Sequence, residues 1–184
     1  MAVLINKKLV SNDKNSADNS DLFRALYEAS MDAIMTLEPP TWRFTAGNPA
    51  TIKMFRVKDE KQFISLGPGD LSPEKQLDGQ LSSAKAKKMI MEAMKNGNKT
   101  FEWTHKRYQG ENFPAIVVLT KVEVNGKEFL QATVKDISEL KKAEEILKER
   151  AAELEKMNKL MIGRELKMVE LKEKIMMLEK KNNK

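Results

Sequence analysis

Cysteine is absent from the 184-residue sequence, and histidine occurs once, as His105. The lack of cysteine excludes disulfides, thiolate nucleophiles and cysteine-ligated zinc or iron–sulfur sites. It also fits a cytoplasmic protein, which is the location that we expect. His105 lies in a strand-like run with Lys106 and Arg107, without the nucleophile motif that a catalytic base needs. We therefore predict that the chain is not an enzyme and has no catalytic or metal-binding residues.

The sequence also lacks a long hydrophobic run. Its longest apolar stretch, around residues 115–119, has about six residues, whereas a helix needs roughly 20 to span a bilayer. Residues 1–8 place their apolar part before their charges and are too short for a secretory signal. Neither a P-loop nor a kinase-type glycine-rich loop is found. The sequence therefore predicts no membrane segment and no ATP-binding site.

Charge is abundant, at 33% of residues, and the net charge is +6. A basic balance alone would raise nucleic acid or an acidic membrane surface as partners. Between residues 138 and 184, however, thirteen Lys and Arg residues alternate with ten Asp and Glu residues. Such interleaving is typical of a solvated helix face. We therefore predict neither a nucleic-acid partner nor a membrane partner.

Strands and helices are segregated along the first 137 residues, which is typical of an α+β domain. Residues 1–19 are polar and aperiodic. The turn Asn125-Gly126 predicts a hairpin between the last two strands. The predicted elements are a helix beginning at Ser20 or Asp21, strands over 32–38 and 42–46, a helix at Pro49 capped by Asn48, a short helix before a loop at 67–70, a helix over 82–96, and strands over 100–108, 113–124 and 128–135.

The strand over 113–124 is apolar on both faces. Val117 and Leu119 alternate with Ile116, Val118 and Val122. A strand of this kind needs cover on both sides of its sheet. We expect the outer face to be covered by the N-terminal helix or by a second subunit.

A heptad repeat begins just after residue 138. Six consecutive a positions are apolar, which is a strong coiled-coil signal. Arg150 and Arg164 occupy d positions and weaken the seam, whereas methionine tolerates more than one packing arrangement. Two interpretations stay open: an imperfect coiled coil, or one that changes register. We predict a homodimer whose seam consists of Leu140, Leu147, Leu154, Met161, Met168 and Ile175.

Residues 99–145 resemble the C-terminal half of a PAS domain. An aromatic-rich strand, a glycine turn, a Phe-Pro strand and a closing Asp-Ile-Ser carry the resemblance; they are Phe101–Arg107, Gly110, Phe113-Pro114-Ala115 and Asp136-Ile137-Ser138. Ser138 stands where the family usually has threonine, and both residues can cap the outgoing helix. Residues 22–29, 32–34 and 48–50 match the first helix, first strand and Asn-initiated helix of the front half, so the resemblance covers roughly residues 20–138.

The resemblance implies an α+β fold with a PAS-like five-stranded antiparallel sheet and flanking helices that enclose a pocket. Haem-binding members present a histidine from the helix that matches 82–97, and light-sensing flavin members use a cysteine; neither is present. The cofactor is unknown: haem and cysteinyl flavin are disfavoured, and a non-covalent small molecule stays open. The residues that would line a ligand pocket, unless they only fill a core, are Phe55, Ile90, Met94, Phe101, Trp103, Leu119 and Val134.

The resemblance also implies that the helix following Asp136, Ile137 and Ser138 carries a signal. We expect a mobile segment over 1–19, a PAS-like sensory domain over 20–137 and a coiled-coil signalling helix over 138–184. The leading hypothesis is a signal-transduction module, as in two-component systems, that relays a ligand or packing change to an effector such as a kinase domain. The helix contains no histidine that could accept phosphate. The alternative is a ligand-free scaffold for protein–protein association and dimerisation.

Overall fold

The computed structural model describes residues 19–182, with side chains described as far as Glu179. The predicted mobile segment over 1–19 lies outside the described residues except for Asn19, which is already helical. The chain divides after Ser138 into two compact units.

The first unit contains four helices and five strands among its described residues, and their ends differ from the predicted ones by a few residues at most. In chain order they are α1 over residues 19–29, β1 (Ala33–Glu38), β2 (Arg43–Gly47), α2 (Pro49–Phe55), α3 (Glu60–Ser65), α4 (Ser82–Asn96), β3 (Asn98–Lys106), β4 (Asn112–Val124) and β5 (Lys127–Asp136). A fifth helix, α5 (Ser138–Asn182), begins directly after β5.

The five strands form one antiparallel sheet in the order β2-β1-β5-β4-β3. The central strand, β5, pairs with a strand that is far from it in sequence, since Ala132 of β5 lies opposite Met35 of β1. The hairpin between β4 and β5 turns through Asn125 and Gly126, whose φ angles are 52° and 75°. Positive φ at both positions is the geometry that Asn-Gly favours in a two-residue hairpin. The predicted α+β class and five-stranded sheet are confirmed.

The inner face of the sheet forms the core with α2, α3 and α4. In β4, Val117 and Leu119 are buried, whereas Ile116 and Val118, which alternate with them, are half-buried. The period of two therefore separates an inner face from an outer face, as the sequence predicts. The helices contribute buried residues to the same core, among them Phe55, Phe63, Ile90 and Ala93.

The outer face of the sheet keeps part of its apolar surface exposed. Val124 at the end of β4 is 51% exposed. Helix α1 does not bury its own apolar residues against the sheet, because Leu22, Phe23 and Leu26 are all more than half exposed. It stays a prediction that the N-terminal helix or a second subunit covers the outer face of the sheet.

Helix α5 forms the second unit from Glu139 onward. All its described side chains from 139 to 179 are exposed. Glu155 and Lys159 form one of the predicted i, i+4 ion pairs, with 2.7 Å between carboxylate and ammonium. A surface pair of this kind stabilises a helix by only a few tenths of a kcal/mol. The apolar seam residues of the single chain are therefore solvated.

Asn48 joins α1, β1 and α2. It is 1% exposed, and its Oδ1 accepts hydrogen bonds from the amides of Thr51, at 2.9 Å, and Ile34, at 3.1 Å. Its Nδ2 donates to the carbonyl oxygens of Tyr27, at 3.1 Å, and Asp32, at 2.9 Å. The predicted cap of α2 thus also satisfies backbone groups that α1 and β1 would otherwise leave unpaired.

Replacing Asn48 with alanine should therefore cost far more than a typical cap. We expect Asn48→Ala to lower the free energy of unfolding by about 3 kcal/mol, because buried backbone groups lose their partners together with the cap. Asp59→Ala is the matched control: Asp59 is exposed and caps α3 through the Gln62 amide alone, so about 1 kcal/mol should be lost. Urea unfolding measures both values, and equal losses would contradict this role of Asn48.

Candidate functional site

An apolar cavity of about 60 Å³ lies between the inner face of the sheet and α4. Five of the seven residues predicted for a ligand pocket line it, namely Ile90, Phe101, Trp103, Leu119 and Val134. Much of the remaining apolar wall consists of Met35, Leu37, Met89 and Ala132. Ligand contact by these residues stays a prediction.

Phe55 and Met94 do not line this cavity. Phe55 is fully buried, and its ring centroid lies 5.2 Å from that of His105 and 5.8 Å from that of Phe113. It therefore belongs to an aromatic cluster beside the cavity. Met94 is partly buried and packs against the core from α4. Both residues therefore fill the core. Core filling was the alternative to ligand contact that the sequence left open.

His105 also lines the cavity, although sequence patterns indicated no role for it in a site. It lies on the inner face of β3 and is 9% exposed. Its Nδ1 lies 3.1 Å from the carbonyl oxygen of Leu71. Because a carbonyl oxygen only accepts, Nδ1 carries the hydrogen and Nε2 carries the lone pair. Nε2 is buried and has no hydrogen-bond partner among the described residues.

Burial keeps the imidazole of His105 neutral. Loss of solvation lowers its pKa to about 4, and the hydrogen bond to Leu71 opposes this shift only in part. The rings of Phe55, Trp103 and Phe113 pack against the imidazole and carry no ionisable group that would restore its charge. At neutral pH, His105 is therefore an uncharged side chain whose acceptor nitrogen, Nε2, is buried and unpaired among the described residues.

The segment over 66–81 closes one side of the cavity by pairing with β3, the edge strand. The side-chain amide of Gln76 accepts from the Thr104 amide at 2.8 Å and donates to the Thr104 carbonyl at 3.1 Å. This side chain therefore takes the place of a neighbouring strand at that residue. The Trp103 indole donates to Ser72 Oγ at 3.0 Å. The sequence indicated a loop here but not these pairings.

The beginning of α5 is held by the carboxylate of Asp136. Its Oδ1 accepts from the Ser138 amide at 2.8 Å, and its Oδ2 accepts from Arg107 Nη2 at 2.7 Å. Ile137 is buried, and its amide donates to the carbonyl of Pro114 at 3.0 Å. Burial would raise the pKa of Asp136, but the hydrogen bonds from Ser138 and Arg107 outweigh it and lower the pKa. Asp136 therefore stays ionised at neutral pH.

Arg107 connects this junction to the rest of the domain. Its side chain is 14% exposed, and its Nη1 donates to the carbonyl of Met54 in α2. Its guanidinium carbon lies 4.1 Å from the centroid of Phe113. The sequence placed Arg107 in the aromatic-rich strand motif but gave it no role, since its partners lie in other elements.

Several solved structures of PAS domains are similar to this chain. A PAS domain from a two-component sensor histidine kinase has a TM-score of 0.54 and 21% identity, covering 66% of this chain and 98% of that one. The PAS domain of a protein from Colwellia psychrerythraea has a TM-score of 0.55 and 12% identity, covering 65% and 97%. An RNA-binding light-oxygen-voltage receptor has a TM-score of 0.58 and 19% identity, covering 74% of this chain and 38% of that one. No family model matches the sequence, and no curated protein does.

The first unit has the PAS fold. Within residues 19–182, no helix is both long and apolar enough to cross a bilayer. Within the same range, histidine and carboxylate side chains do not gather into a group of three or more that could hold a metal ion.

The buried histidine of the first unit should make the stability of this unit depend on pH. Unfolded histidine titrates near pH 6.5, whereas the folded domain keeps His105 neutral down to about pH 4. Between these values the unfolded chain binds more protons, so the stabilisation by neutral His105 is complete above about pH 7 and is lost as the pH falls. Removing the imidazole should remove this dependence.

We expect His105→Phe to reduce the fall in unfolding free energy between about pH 7 and pH 5 by about 2 kcal/mol. Urea unfolding of both proteins at both pH values measures it. The carboxylates titrate alike in the two proteins, so their contribution cancels in the comparison. A fall of the same size in wild type and variant would show that His105 is not held neutral by burial.

Proposed function

We propose that this chain is a PAS-type sensory module that relays a ligand or packing change from its cavity to α5, and through a dimeric coiled coil to an effector. The observation that carries the proposal is a continuous set of contacts from the cavity wall to the first residues of α5. The contacts are provided by His105, Phe113, Arg107, Asp136 and Ser138.

Phe113 is the middle of this set. Its ring stacks on His105, with centroids 5.7 Å apart and an interplanar angle of 28°. The guanidinium of Arg107 lies over the same ring. A change in the position of His105 would therefore displace the ring of Phe113, and this ring would in turn displace Arg107. Close-packed interiors transmit such displacements because they contain little free volume.

Asp136 connects this set of contacts to the first residue of α5. It binds Arg107 with one oxygen and the Ser138 amide with the other. A displacement of Arg107 would weaken the hold of Asp136 on the first turn of α5. Two arrangements of this junction, biased by what the cavity contains, would give the two-state element that a sensor requires.

Dimerisation through α5 is supported by the exposure of the six seam residues. Each is more than half exposed in the single chain, with values from 53% for Leu140 to 65% for Leu147 and Leu154. A helix of 45 residues with such a stripe gains its stability by burying the stripe against another helix. A second copy of the same chain would supply an identical apolar stripe for this helix to pack against.

The effector would be a kinase domain or another signalling domain. One solved PAS domain of the same fold comes from a two-component sensor histidine kinase. A phosphate-accepting histidine would have to be supplied by the effector, because His105 is the single histidine of the sequence. The proposal includes a cytoplasmic location, with neither nucleic acid nor membrane as a partner.

The second candidate is a ligand-free scaffold that uses the PAS fold only for protein–protein association. The observation that favours it is the size of the cavity, about 60 Å³, which is small for a ligand site. Native mass spectrometry of the purified protein separates the two functions. A bound small molecule favours the sensor, whereas a mass equal to that of the bare polypeptide in every preparation favours the scaffold.

The relay predicts strong coupling between Arg107 and Asp136. In a double-mutant cycle with Arg107→Ala and Asp136→Asn, we expect a coupling energy of about 1–3 kcal/mol, because the pair is largely shielded from solvent. Urea unfolding measures it. Hydrogen exchange should show faster opening of the amides over 137–142 in both single variants.

Arg24→Ala is the matched control for this cycle. Arg24 also binds a carboxylate, that of Glu28, at 2.9 Å, but its side chain is 78% exposed and the pair lies apart from Arg107. Its loss should cost below about 1 kcal/mol and leave exchange at 137–142 unchanged. Coupling no larger than that of an exposed pair would contradict the relay role of Arg107.

The coiled coil predicts that polar substitutions in the seam give a folded monomer. We expect the double variant Leu147→Asp, Leu154→Asp to lose dimerisation in analytical ultracentrifugation, because burying two carboxylates in the seam is costly. The control is Ile162→Asp with Leu166→Asp, two apolar residues of α5 that are similarly exposed but lie outside the a and d positions. A seam variant that stays dimeric, or a control that becomes monomeric, would contradict this seam.

A further inference from the structure

The side chains around the cavity have already used their hydrogen-bond donors inside the protein. Among the described residues that line it, those with a side-chain nitrogen or oxygen are Ser72, Trp103 and His105. The Trp103 indole donates to Ser72 Oγ at 3.0 Å, and Ser72 in turn donates to the Pro68 carbonyl at 2.7 Å. The Nδ1 hydrogen of His105 is directed to the carbonyl of Leu71 at 3.1 Å. The wall therefore keeps no side-chain N–H or O–H for an occupant.

Hydrogen-bond acceptors on the wall are equally scarce. Nε2 of His105 keeps a lone pair but exposes less than 1 Å² of surface, so a molecule in the cavity cannot reach it. Ser72 Oγ already accepts from Trp103. The other lining residues are apolar, and none of the described residues on the wall carries a charge at neutral pH. The cavity therefore selects an occupant that needs neither hydrogen bonds nor a counter-charge.

The cavity is large enough for water but too apolar to hold it. Its volume of about 60 Å³ exceeds the roughly 10–15 Å³ that one water molecule needs. A buried water makes about two to four hydrogen bonds, and the side chains of this wall have no free group to make them. An apolar occupant would instead add dispersion contacts with the lining side chains at no cost in lost hydrogen bonds.

The volume limits the occupant to a few atoms. An engineered apolar cavity of about 150 Å³ binds benzene. On that scale, about 60 Å³ holds roughly two or three non-hydrogen atoms. Hydrocarbons of this size and dissolved gases such as dioxygen share the chemistry that the wall selects, because they are neutral and form no strong hydrogen bonds.

We propose that the cavity binds a non-polar molecule of about two or three non-hydrogen atoms, a short hydrocarbon or a dissolved gas, through dispersion contacts alone. This inference rests on the proposed sensory function, since it names the class of molecule that would supply the input. Polar molecules of the same size are disfavoured because they would lose their hydrogen bonds to water without replacement.

The test uses the full chain and two probes of equal size, propane and ethanol. Both have the same number of non-hydrogen atoms, but ethanol must give up the hydrogen bonds of its hydroxyl group to enter an apolar cavity. We expect propane to shift the methyl NMR signals of Ile90, Ala132 and Val134 saturably and to bind at least about tenfold more tightly than ethanol. Val124 is 51% exposed and lies outside the cavity lining, so its methyl signals should show no saturable shift.

Dioxygen is the third probe and distinguishes the two sources of a non-polar molecule. It is paramagnetic and broadens the signals of methyl groups that it contacts. Saturable broadening of the Val134 signals at a lower concentration than propane requires would assign the cavity to a dissolved gas. Tighter binding of propane would assign it to a hydrocarbon.

Two variants of β5 locate the binding. Ala132→Val places two further methyl groups on the cavity wall, so it should abolish the propane shifts of Ile90 and Val134. Thr133→Val is the matched control: Thr133 is half-buried and lies outside the cavity lining, so propane should bind as it does in the wild type. If Ala132→Val fails to fold, the comparison of propane with ethanol on the wild-type protein still decides.

Three results would overturn the proposal. They are ethanol binding as tightly as propane, a lack of saturable binding of both propane and dioxygen, and unchanged propane binding in folded Ala132→Val. None of these depends on signal transmission. Hydrogen exchange over 137–142, measured at saturating propane, reports the relay separately: propane that occupies the cavity without changing this exchange would contradict the proposed sensor but not the ligand class.

Discussion

Phe113 packs at once against the imidazole of His105 and the guanidinium of Arg107. This shared ring places two different environments next to each other. On one side lies an apolar cavity with an uncharged histidine; on the other lies an ion pair that holds the beginning of α5. The packing of the one depends on the packing of the other because the ring between them cannot be moved without disturbing both. The rest of the domain keeps this ring in place.

The segment over 66–81 provides hydrogen-bond partners for the edge strand beside the cavity. Strand β3 lies at the edge, where unpaired backbone groups would otherwise be open to another strand. Gln76 pairs with both backbone groups of Thr104, and the carbonyl of Leu71 accepts from Lys106 as well as facing His105. The same segment thus protects the edge, orients the histidine and closes the cavity.

Local patterns predicted most of the fold. Asn48 before Pro49, the Asn125-Gly126 turn and the alternation around Val117 each depend on neighbours in the sequence, and each was found as predicted. The site was predicted only in part. Five pocket residues line the cavity, since inward-facing positions follow from periodicity.

The roles of His105, Gln76 and Arg107 could not be predicted from the sequence, because each depends on a hydrogen bond to a residue 28 or more positions away, which only the tertiary register brings close. For the heptad repeat, the sequence predicts the residues of the contact surface but not its partner. Its spacing identifies a seam along α5, but a pattern within one chain does not specify the chain that covers it.

The order of strands in the sheet has a consequence for how the domain is made. Its centre joins β1, from the start of the domain, to β5, from its end, with Ala33 opposite Val134. Closing so long a loop is entropically costly, and folds dominated by such distant pairings form slowly. During synthesis, β1 must therefore wait until β5 has left the ribosome, and the first turn of α5 follows directly in the chain. The centre of the sheet, and the core that packs against it, can therefore form only when nearly the whole first unit has been synthesised.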